Sequence, residues 1–168
     1  MNYYWTKLDT PKGIVYLFAS DKALIWVSTP GSSYEKGEGY VRKKFRVDKL
    51  INEENIILKT AKKELEKYFS GKHIHFSGPF ELNGTEFQKK VWHEMQNIPY
   101  GVTVPYSTVA RSIGSPKAVR AIGMTCGLNP IAIMIPCHRV VGKSGKLTGY
   151  AGGLEIKKWL LEIESNKS

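Results

Sequence analysis

The sequence contains few cysteines and no long apolar run. Only Cys126 and Cys137 are present among 168 residues, too few for a disulfide framework, and a reducing compartment is the simplest interpretation. No apolar stretch approaches the ~18 residues of a membrane span, and the polar and aromatic N-terminus does not resemble a signal peptide. Internal repeats and low-complexity segments are also missing. These absences favour a globular cytoplasmic protein without a membrane partner.

Acidic residues are nearly missing between positions 89 and 146. The chain as a whole carries a formal net charge of +10 at pH 7. In this stretch Glu94 is the only carboxylate, against eight basic residues: Lys89, Lys90, Arg111, Lys117, Arg120, Arg139, Lys143 and Lys146. Any one lysine could serve solubility alone, but a one-sided excess of positive charge attracts anionic partners. Nucleic acid is favoured over a membrane surface because no long basic amphipathic helix is present.

The first 80 residues predict a small α+β domain. Turn sequences separate segments rich in β-branched and aromatic residues, which predicts an antiparallel meander over residues 3–9, 13–20 and 23–28. The polar stretch 31–49 has little periodicity and predicts a long connection or a weak strand. A helix is predicted to begin at Asn52 and to end at Gly71, with its buried stripe formed by Ile57, Ala61, Leu65 and Tyr68 or Phe69.

A Gly- and Pro-containing stretch, 77–84, predicts the boundary between a domain over 1–80 and a domain over 84–168. Thr85 and Gln88 then form a capping-box pattern that predicts a helix start. Further on, Gly114 separates two predicted helices that together resemble a helix-turn-helix, over residues 108–113 and 116–126.

Cys137 stands directly after Pro136 and directly before His138. The apolar run 131–135 predicts a buried strand that ends at the proline, so the thiol is expected at a strand tip on a pocket wall. A free thiol has a pKa of about 8.5 and is mostly un-ionised near neutral pH, so a nucleophilic cysteine needs help to react. His138 as a base, and Arg139 as a cation if it points inward, could supply that help. An inert buried cysteine is the alternative, since free cysteines are usually buried.

His73 and His75 share one face of an extended segment, which by itself could suggest a metal site. No third ligand lies near them in the sequence, and no Cys-x-x-Cys pair is present. Structural zinc sites need four ligands, so solvated histidines are the favoured interpretation and no metal site is expected.

The second half closely resembles the O6-alkylguanine-DNA alkyltransferase family. Its motifs follow one another in the family's order from about Thr85 to Glu164: Val104-Pro105-Tyr106, Lys117-Ala118-Val119-Arg120-Ala121-Ile122-Gly123, Gly127-Leu128-Asn129-Pro130, Ile135-Pro136-Cys137-His138-Arg139-Val140-Val141 and Tyr150-Ala151-Gly152-Gly153-Leu154, followed by Lys157, Trp159 and Glu164. The first 80 residues resemble the family only in size and in their strand-then-helix pattern.

The resemblance implies an α+β fold: a small ribonuclease H-like N-terminal domain, then a mostly helical C-terminal domain with a winged helix-turn-helix-like DNA-binding part. It implies DNA repair by a methylated-DNA–[protein]-cysteine S-methyltransferase that acts once, without a cofactor. The implied partner is double-stranded DNA containing alkylated guanine, bound through the minor groove by a monomer. O4-alkylthymine is a further candidate substrate, and a prokaryotic member would be associated with the nucleoid.

The resemblance also implies roles for single residues. Cys137 would accept the alkyl group, His138 would activate it through a water, and Glu164 would orient His138. Nucleotide flipping would involve Tyr106 and Arg120, with Arg120 filling the vacated stack. The remaining implied residues are Asn129, which braces the turn before the acceptor, the minor-groove residues Ala118, Ala121 and Gly123, and the base-pocket residues Tyr150, Ala151, Val140 and Lys157.

Three departures from the family pattern stand out. No cysteine precedes Cys126, so the zinc site of some members is not expected here. Ala151 stands where a serine is frequent, which matters little if that position acts through its backbone N–H. Gly127 stands where a basic residue is frequent, which predicts weaker phosphate contact.

Three other classes of protein compete with this interpretation. A non-catalytic relative that binds alkylated DNA typically has tryptophan at the acceptor position, so Cys137 argues against it. A cysteine hydrolase generally places its histidine far from the cysteine in sequence and needs an oxyanion hole. A helix-turn-helix regulator is disfavoured because the most specific motif lies outside the two helices.

Overall fold

The computed structural model describes residues 1–165, and the chain begins with a three-stranded antiparallel sheet. Its strands lie side by side in chain order: β1 (Tyr3–Thr10), β2 (Gly13–Ser20) and β3 (Leu24–Val27). The first two pair along their full length, from Tyr3 opposite Ser20 to Thr10 opposite Gly13. The predicted antiparallel meander is confirmed.

Helix α1 (Tyr34–Phe45) follows the sheet and packs on β2 and β3. The prediction of a connection or weak strand over 31–49 is therefore wrong. Its glycines suggested an irregular segment, but Gly37 is a packing residue: a Cβ there would lie 2.6–2.8 Å from ring atoms of Phe18 and Trp26. The aromatic rings of the sheet thus fill the space that a side chain at Gly37 would need.

Helix α2 (Ile56–Phe69) contacts β1 and β2. It begins after Asn55, whose side chain accepts a hydrogen bond from the Leu58 N–H, so the predicted start at Asn52 is early. An asparagine can cap a helix only where its side chain reaches the free N–H groups of the first turn. The buried side of α2 consists of Leu58, Ala61, Leu65 and Tyr68, so Leu58 takes the place predicted for Ile57.

The chain divides into two compact units, residues 1–83 and the residues from Gly84 onward. The second unit is mostly helical, with α3 (Glu86–Met95), α4 (Tyr106–Ser112), α5 (Val119–Gly127) and α6 (Leu154–Ser165). Two short strands, β4 (Val104–Pro105) and β5 (Val140–Val141), pair in parallel. The capping box of Thr85 and Gln88 is present at the start of α3, as predicted. The predicted α+β class is confirmed.

The apolar run 131–135 is buried, but it is not a strand. It forms consecutive turns, closed by a hydrogen bond from the Ile135 N–H to the Ile131 carbonyl, and Ile133 has a φ of 71°. Cys137 accordingly lies in a 3₁₀ turn, Cys137–Arg139, rather than at a strand tip. An apolar run predicts burial and leaves the backbone conformation open, so the strand prediction is wrong.

The predicted second helix of the helix-turn-helix begins three residues late. Pro116 and Lys117 form a turn in which the Ala118 N–H donates to the Ser115 carbonyl, and α5 starts at Val119. Histidines 73 and 75 lie outside any strand. Within residues 1–165, none of the helices combines the length and apolar character needed to cross a bilayer.

Candidate active site

Cys137 is 5% exposed and forms part of the wall of a cavity of about 530 Å³ in the second unit. Cavities of about 300–1,000 Å³ are typical of small-molecule sites, so a nucleobase has room here. Five other residues with expected site roles also line the cavity: Tyr106, Arg120, Gly123, Tyr150 and Ala151.

The Cys137 thiol is hydrogen-bonded to Asn129. The amide Nδ2 of Asn129 lies 3.3 Å from Sγ and also donates to the Ile135 carbonyl at 2.8 Å, while its Oδ1 accepts from the Ile131 N–H at 2.9 Å. One side chain therefore holds both ends of the buried turns and the thiol. Burial raises the pKa of Cys137, and Asn129 and Lys157 offset only part of that rise. The thiol is thus protonated at neutral pH and needs a base to react.

His138 is fully buried, and its Nε2 lies 2.6 Å from Oε2 of Glu164. Burial lowers the pKa of His138 and outweighs the contrary influence of Glu164. The imidazole is therefore neutral at pH 7. With its Nε2–H donated to the carboxylate, a neutral imidazole carries its basic lone pair on Nδ1.

Glu164 is held ionised by the groups around it. Burial would raise its pKa, but the hydrogen bonds from His138 and Arg139 and the positive charge of Arg139 outweigh it and keep the pKa well below its usual range. Arg139 Nε donates to Oε1 at 2.8 Å, and the Gly101 N–H donates to the same oxygen at 3.0 Å. His138, Glu164 and Arg139 form one buried chain of charged and polar groups.

Arg139 itself is fixed from a second side. Its Nη1 donates to the Ile98 carbonyl at 2.7 Å, and its guanidinium lies 5.7 Å from the ring centroid of Tyr100. A buried charge is stable only when it is paired and hydrogen-bonded, and both conditions are met here. Its place directly after His138 suggested Arg139 as a cation that helps the thiol, but its guanidinium is paired with Glu164 instead.

Lys157 is fully buried, and its ammonium group donates hydrogen bonds to backbone carbonyls. Its Nζ donates to the carbonyls of Val140 at 2.7 Å, Thr148 at 2.9 Å and Gly149 at 3.3 Å. It therefore joins the backbone on both sides of the glycine-containing loop after β5. Thr148, which the sequence analysis did not select, also accepts a hydrogen bond from the Tyr106 hydroxyl at 3.3 Å.

Tyr150 brings an unused hydroxyl into the cavity wall. Among residues 1–165 its Oη has no hydrogen-bond partner although it is buried, and burial raises the pKa of Tyr150 well above the ordinary value. Buried hydroxyls in folded proteins nearly always have a partner. Such a group suits a ligand that brings a polar atom.

Helix α5 supplies one side of the cavity. Arg120 and Gly123 line it and are exposed, Ala121 is exposed without lining it, and Ala118 precedes the helix as its N-cap residue. A Cβ at Gly123 or Gly127 would meet nothing within 4 Å. The surface of α5 beside the cavity is thus unobstructed.

Two domain models of one family match the chain. The one described as "6-O-methylguanine DNA methyltransferase, ribonuclease-like domain" matches residues 3–82, and the one for its DNA binding domain matches residues 86–166. A methylated-DNA–protein-cysteine methyltransferase of Methanosarcina acetivorans is 41% identical over 163 residues, which are 97% of this chain and 99% of that protein. The chain belongs to the 6-O-methylguanine DNA methyltransferase family.

Other relatives agree with this membership. The inducible methylated-DNA–protein-cysteine methyltransferase of Bacillus subtilis is 39% identical over 165 residues, 98% of this chain and 92% of that protein. A crystal structure of Mycobacterium tuberculosis OGT in complex with DNA superimposes with a TM-score of 0.82 at 36% identity, covering 96% of this chain and 92% of that one.

No role was predicted for the second cysteine of the chain. Cys126 also lines the cavity, but its thiol lies 3.6 Å from the Met95 sulfur, and burial raises its pKa. Unlike Cys137, it has no histidine beside it in the sequence. Within the described residues 1–165, no three His, Cys, Asp or Glu side chains are grouped so that they could hold a metal ion.

Proposed function

We propose that this protein repairs DNA by moving the alkyl group of O6-alkylguanine onto Sγ of Cys137, once per molecule. The observation that supports this most strongly is a cysteine in the wall of a nucleobase-sized cavity, followed in sequence by a histidine whose imidazole is hydrogen-bonded to a buried carboxylate. The curated relatives named methylated-DNA–protein-cysteine methyltransferases, similar over almost their whole length, support the same reaction.

The first step makes the nucleophile. The Cys137 proton passes through a water to Nδ1 of His138, and the resulting imidazolium is stabilised by the Glu164 carboxylate 2.6 Å from Nε2. Asn129 donates to Sγ and stabilises the thiolate, since a donor favours the charged form. Arg139 keeps Glu164 ionised, and so it supports the His138 imidazolium indirectly, through the carboxylate.

The second step transfers the alkyl group. The thiolate attacks the alkyl carbon, a C–S bond forms as the C–O6 bond breaks, and the electron pair leaves on the guanine. The hydroxyl of Tyr106, in the cavity wall, can donate to the charge on the leaving base when it exchanges its hydrogen bond to the Thr148 carbonyl for one to the base. The proton held by His138 returns through water to the guanine anion, so the transfer requires no cofactor. A thioether is a poor leaving group, so the acceptor is not regenerated.

The target must leave the duplex because its reacting atom is inaccessible inside the stack. Arg120, exposed on α5 and lining the cavity, is the residue we assign to the vacated stack, with Tyr106 assisting the rotation. The small residues Ala118, Ala121 and Gly123 allow α5 to approach the minor groove closely. The Mycobacterium tuberculosis relative solved with DNA supports a DNA partner.

The flipped base would contact Tyr150, the backbone of Ala151 and the backbone of Val140, which Lys157 holds in place. We further propose that residues 1–80 and 84–168 are separate domains, that the protein acts as a monomer, and that it works in the cytoplasm, at the nucleoid in a prokaryote. O4-alkylthymine is a second substrate to test.

The experiment follows the loss of O6-methylguanine from a duplex under excess protein. Wild type and Cys126→Ala should both remove the lesion, whereas Cys137→Ala should remove none and should still bind the duplex. Repair by Cys137→Ala, or loss of activity only in Cys126→Ala, would contradict the assignment. Repeated turnover by a small amount of protein would favour a hydrolase.

A further inference from the structure

Two large apolar side chains stand out from α5. Met124 is 69% exposed and Leu128, directly after the helix, is 57% exposed, more than any other large apolar side chain in the described part of the second unit. Water-exposed apolar side chains that adjoin each other mark contact surfaces more often than isolated ones do. The position of Met124 and Leu128 relative to the cavity indicates which partner they contact.

Arg120, Met124 and Leu128 follow one another at intervals of four residues and therefore share one face of the helix. The opposite face, with Ile122, Thr125 and Cys126, is buried. The row thus begins at the arginine that lines the cavity and continues along the exposed surface of α5.

Gly123 and Gly127 lie beside this row and line the cavity. Glycine destabilises a helix interior, such as position 123, relative to alanine. Open space surrounds both positions, so no packing among residues 1–165 requires glycine there. The surface is a ridge one side chain wide, bordered by a strip of bare backbone. Such a profile fits a narrow groove rather than a broad protein interface.

We propose that Met124 and Leu128 form an apolar ridge that packs against sugars and base edges of the DNA minor groove next to the flipped nucleotide. This rests on the proposed function. Minor-groove proteins frequently use apolar side chains, methionine and leucine among them. The groove is only about 6 Å wide, which suits a single row of side chains. The exposed cations Lys117 and Arg120 at the start of α5 match the charge of the phosphates.

An apolar ridge has a distinctive effect on binding. It removes apolar surface from water without neutralising a phosphate, so it strengthens binding equally at all salt concentrations. Basic residues instead set the slope of log affinity against log salt. The two contributions can therefore be separated by titration at several salt concentrations.

The test measures binding of an undamaged duplex by fluorescence anisotropy for wild type, Met124→Ala, Leu128→Ala and the double variant. Ile56→Ala, equally exposed at 72% but in the first unit, is the matched control. We expect Met124→Ala to weaken binding about tenfold at every salt concentration with the slope unchanged. Ile56→Ala should not weaken it, and all variants should react with free O6-benzylguanine at the wild-type rate.

Unchanged duplex affinity in the double variant, or a loss equal to that of Ile56→Ala, refutes the proposal that Met124 and Leu128 contact DNA. A wild type that self-associates on sedimentation, and loses that association in Met124→Ala, overturns it in favour of a second copy. A wild type that neither binds duplex nor accepts an alkyl group would instead refute the proposed function. Normal wild-type repair with unaffected ridge variants refutes the ridge alone.

Discussion

Replacing Glu164 with glutamine tests whether the buried groups His138, Glu164 and Arg139 activate Cys137. The substitution keeps the size of the side chain and removes its charge, which leaves Arg139 without its carboxylate partner in a site where the two side chains are 8% and 1% exposed. Breaking a buried ion pair from one side costs about 3–5 kcal/mol. In a unit of this size, that lowers the melting temperature by more than about 10 °C.

The same substitution removes the negative charge that stabilises the His138 imidazolium, because an amide oxygen can accept from Nε2–H but cannot balance its charge. General base catalysis by a positioned group contributes about 10²–10⁴-fold, so the rate of reaction with free O6-benzylguanine should fall at least about 10²-fold. The assay is intact mass against time, well below the melting temperature. Glu162→Gln, exposed on the same helix, is the control and should change stability by less than about 0.5 kcal/mol. If the Glu164→Gln variant reacts within threefold of the wild-type rate, the proposed role of the buried groups His138, Glu164 and Arg139 is refuted.

The pH dependence of stability follows from the same pair. The pKa of His138 is lowered by burial, so its contribution is present above the unfolded pKa of about 6.5 and is lost as pH falls toward the folded pKa. The pKa of Glu164 is lowered overall by His138 and Arg139 despite burial; its contribution is present above about pH 4.3 and is lost on further acidification. Urea unfolding from pH 8 to pH 4 should give a declining free energy below about pH 6.5; a flat profile would contradict the buried neutral imidazole.

Three further changes have defined outcomes. Lys157→Met leaves three carbonyls without their donor and should destabilise the protein by about 3 kcal/mol, whereas exposed Lys158→Met should be neutral in the same urea titration. Arg120→Ala should slow repair of duplex DNA far more than reaction with free O6-benzylguanine, since the free base needs no flipping; equal losses would remove Arg120 from that role. Methylation of Cys137 should lower the melting temperature, because one added methyl group in a packed site costs about 1–3 kcal/mol; a rise would contradict this.

The sequence was most informative where a local pattern has a local cause. The capping box at Thr85 and the meander of the first strands depend on neighbouring residues, and both were predicted. Helix α1 was missed because Gly37 serves contacts with Phe18 and Trp26, which are distant in sequence. The turns over 131–135 were missed because burial alone does not fix a backbone conformation.

The candidate site also has parts that follow from local sequence and parts that do not. The motif around Cys137 pointed to the thiol and its histidine, but the surroundings of Glu164 depend on tertiary contacts. Arg139 and the Gly101 N–H meet its carboxylate only after folding. Likewise, the sequence placed Lys157 in the base pocket, whereas its Nζ is occupied by three backbone carbonyls.

The most direct test of the central claim is the stoichiometry and position of the transferred group. The protein is incubated with increasing excess of an O6-methylguanine duplex, and intact mass is followed by peptide mapping. The account predicts a plateau at one methyl group per chain, located on Cys137 and unchanged in Cys126→Ala. A methyl group on Cys126, more than one per chain, or lesion removal beyond one equivalent would contradict it.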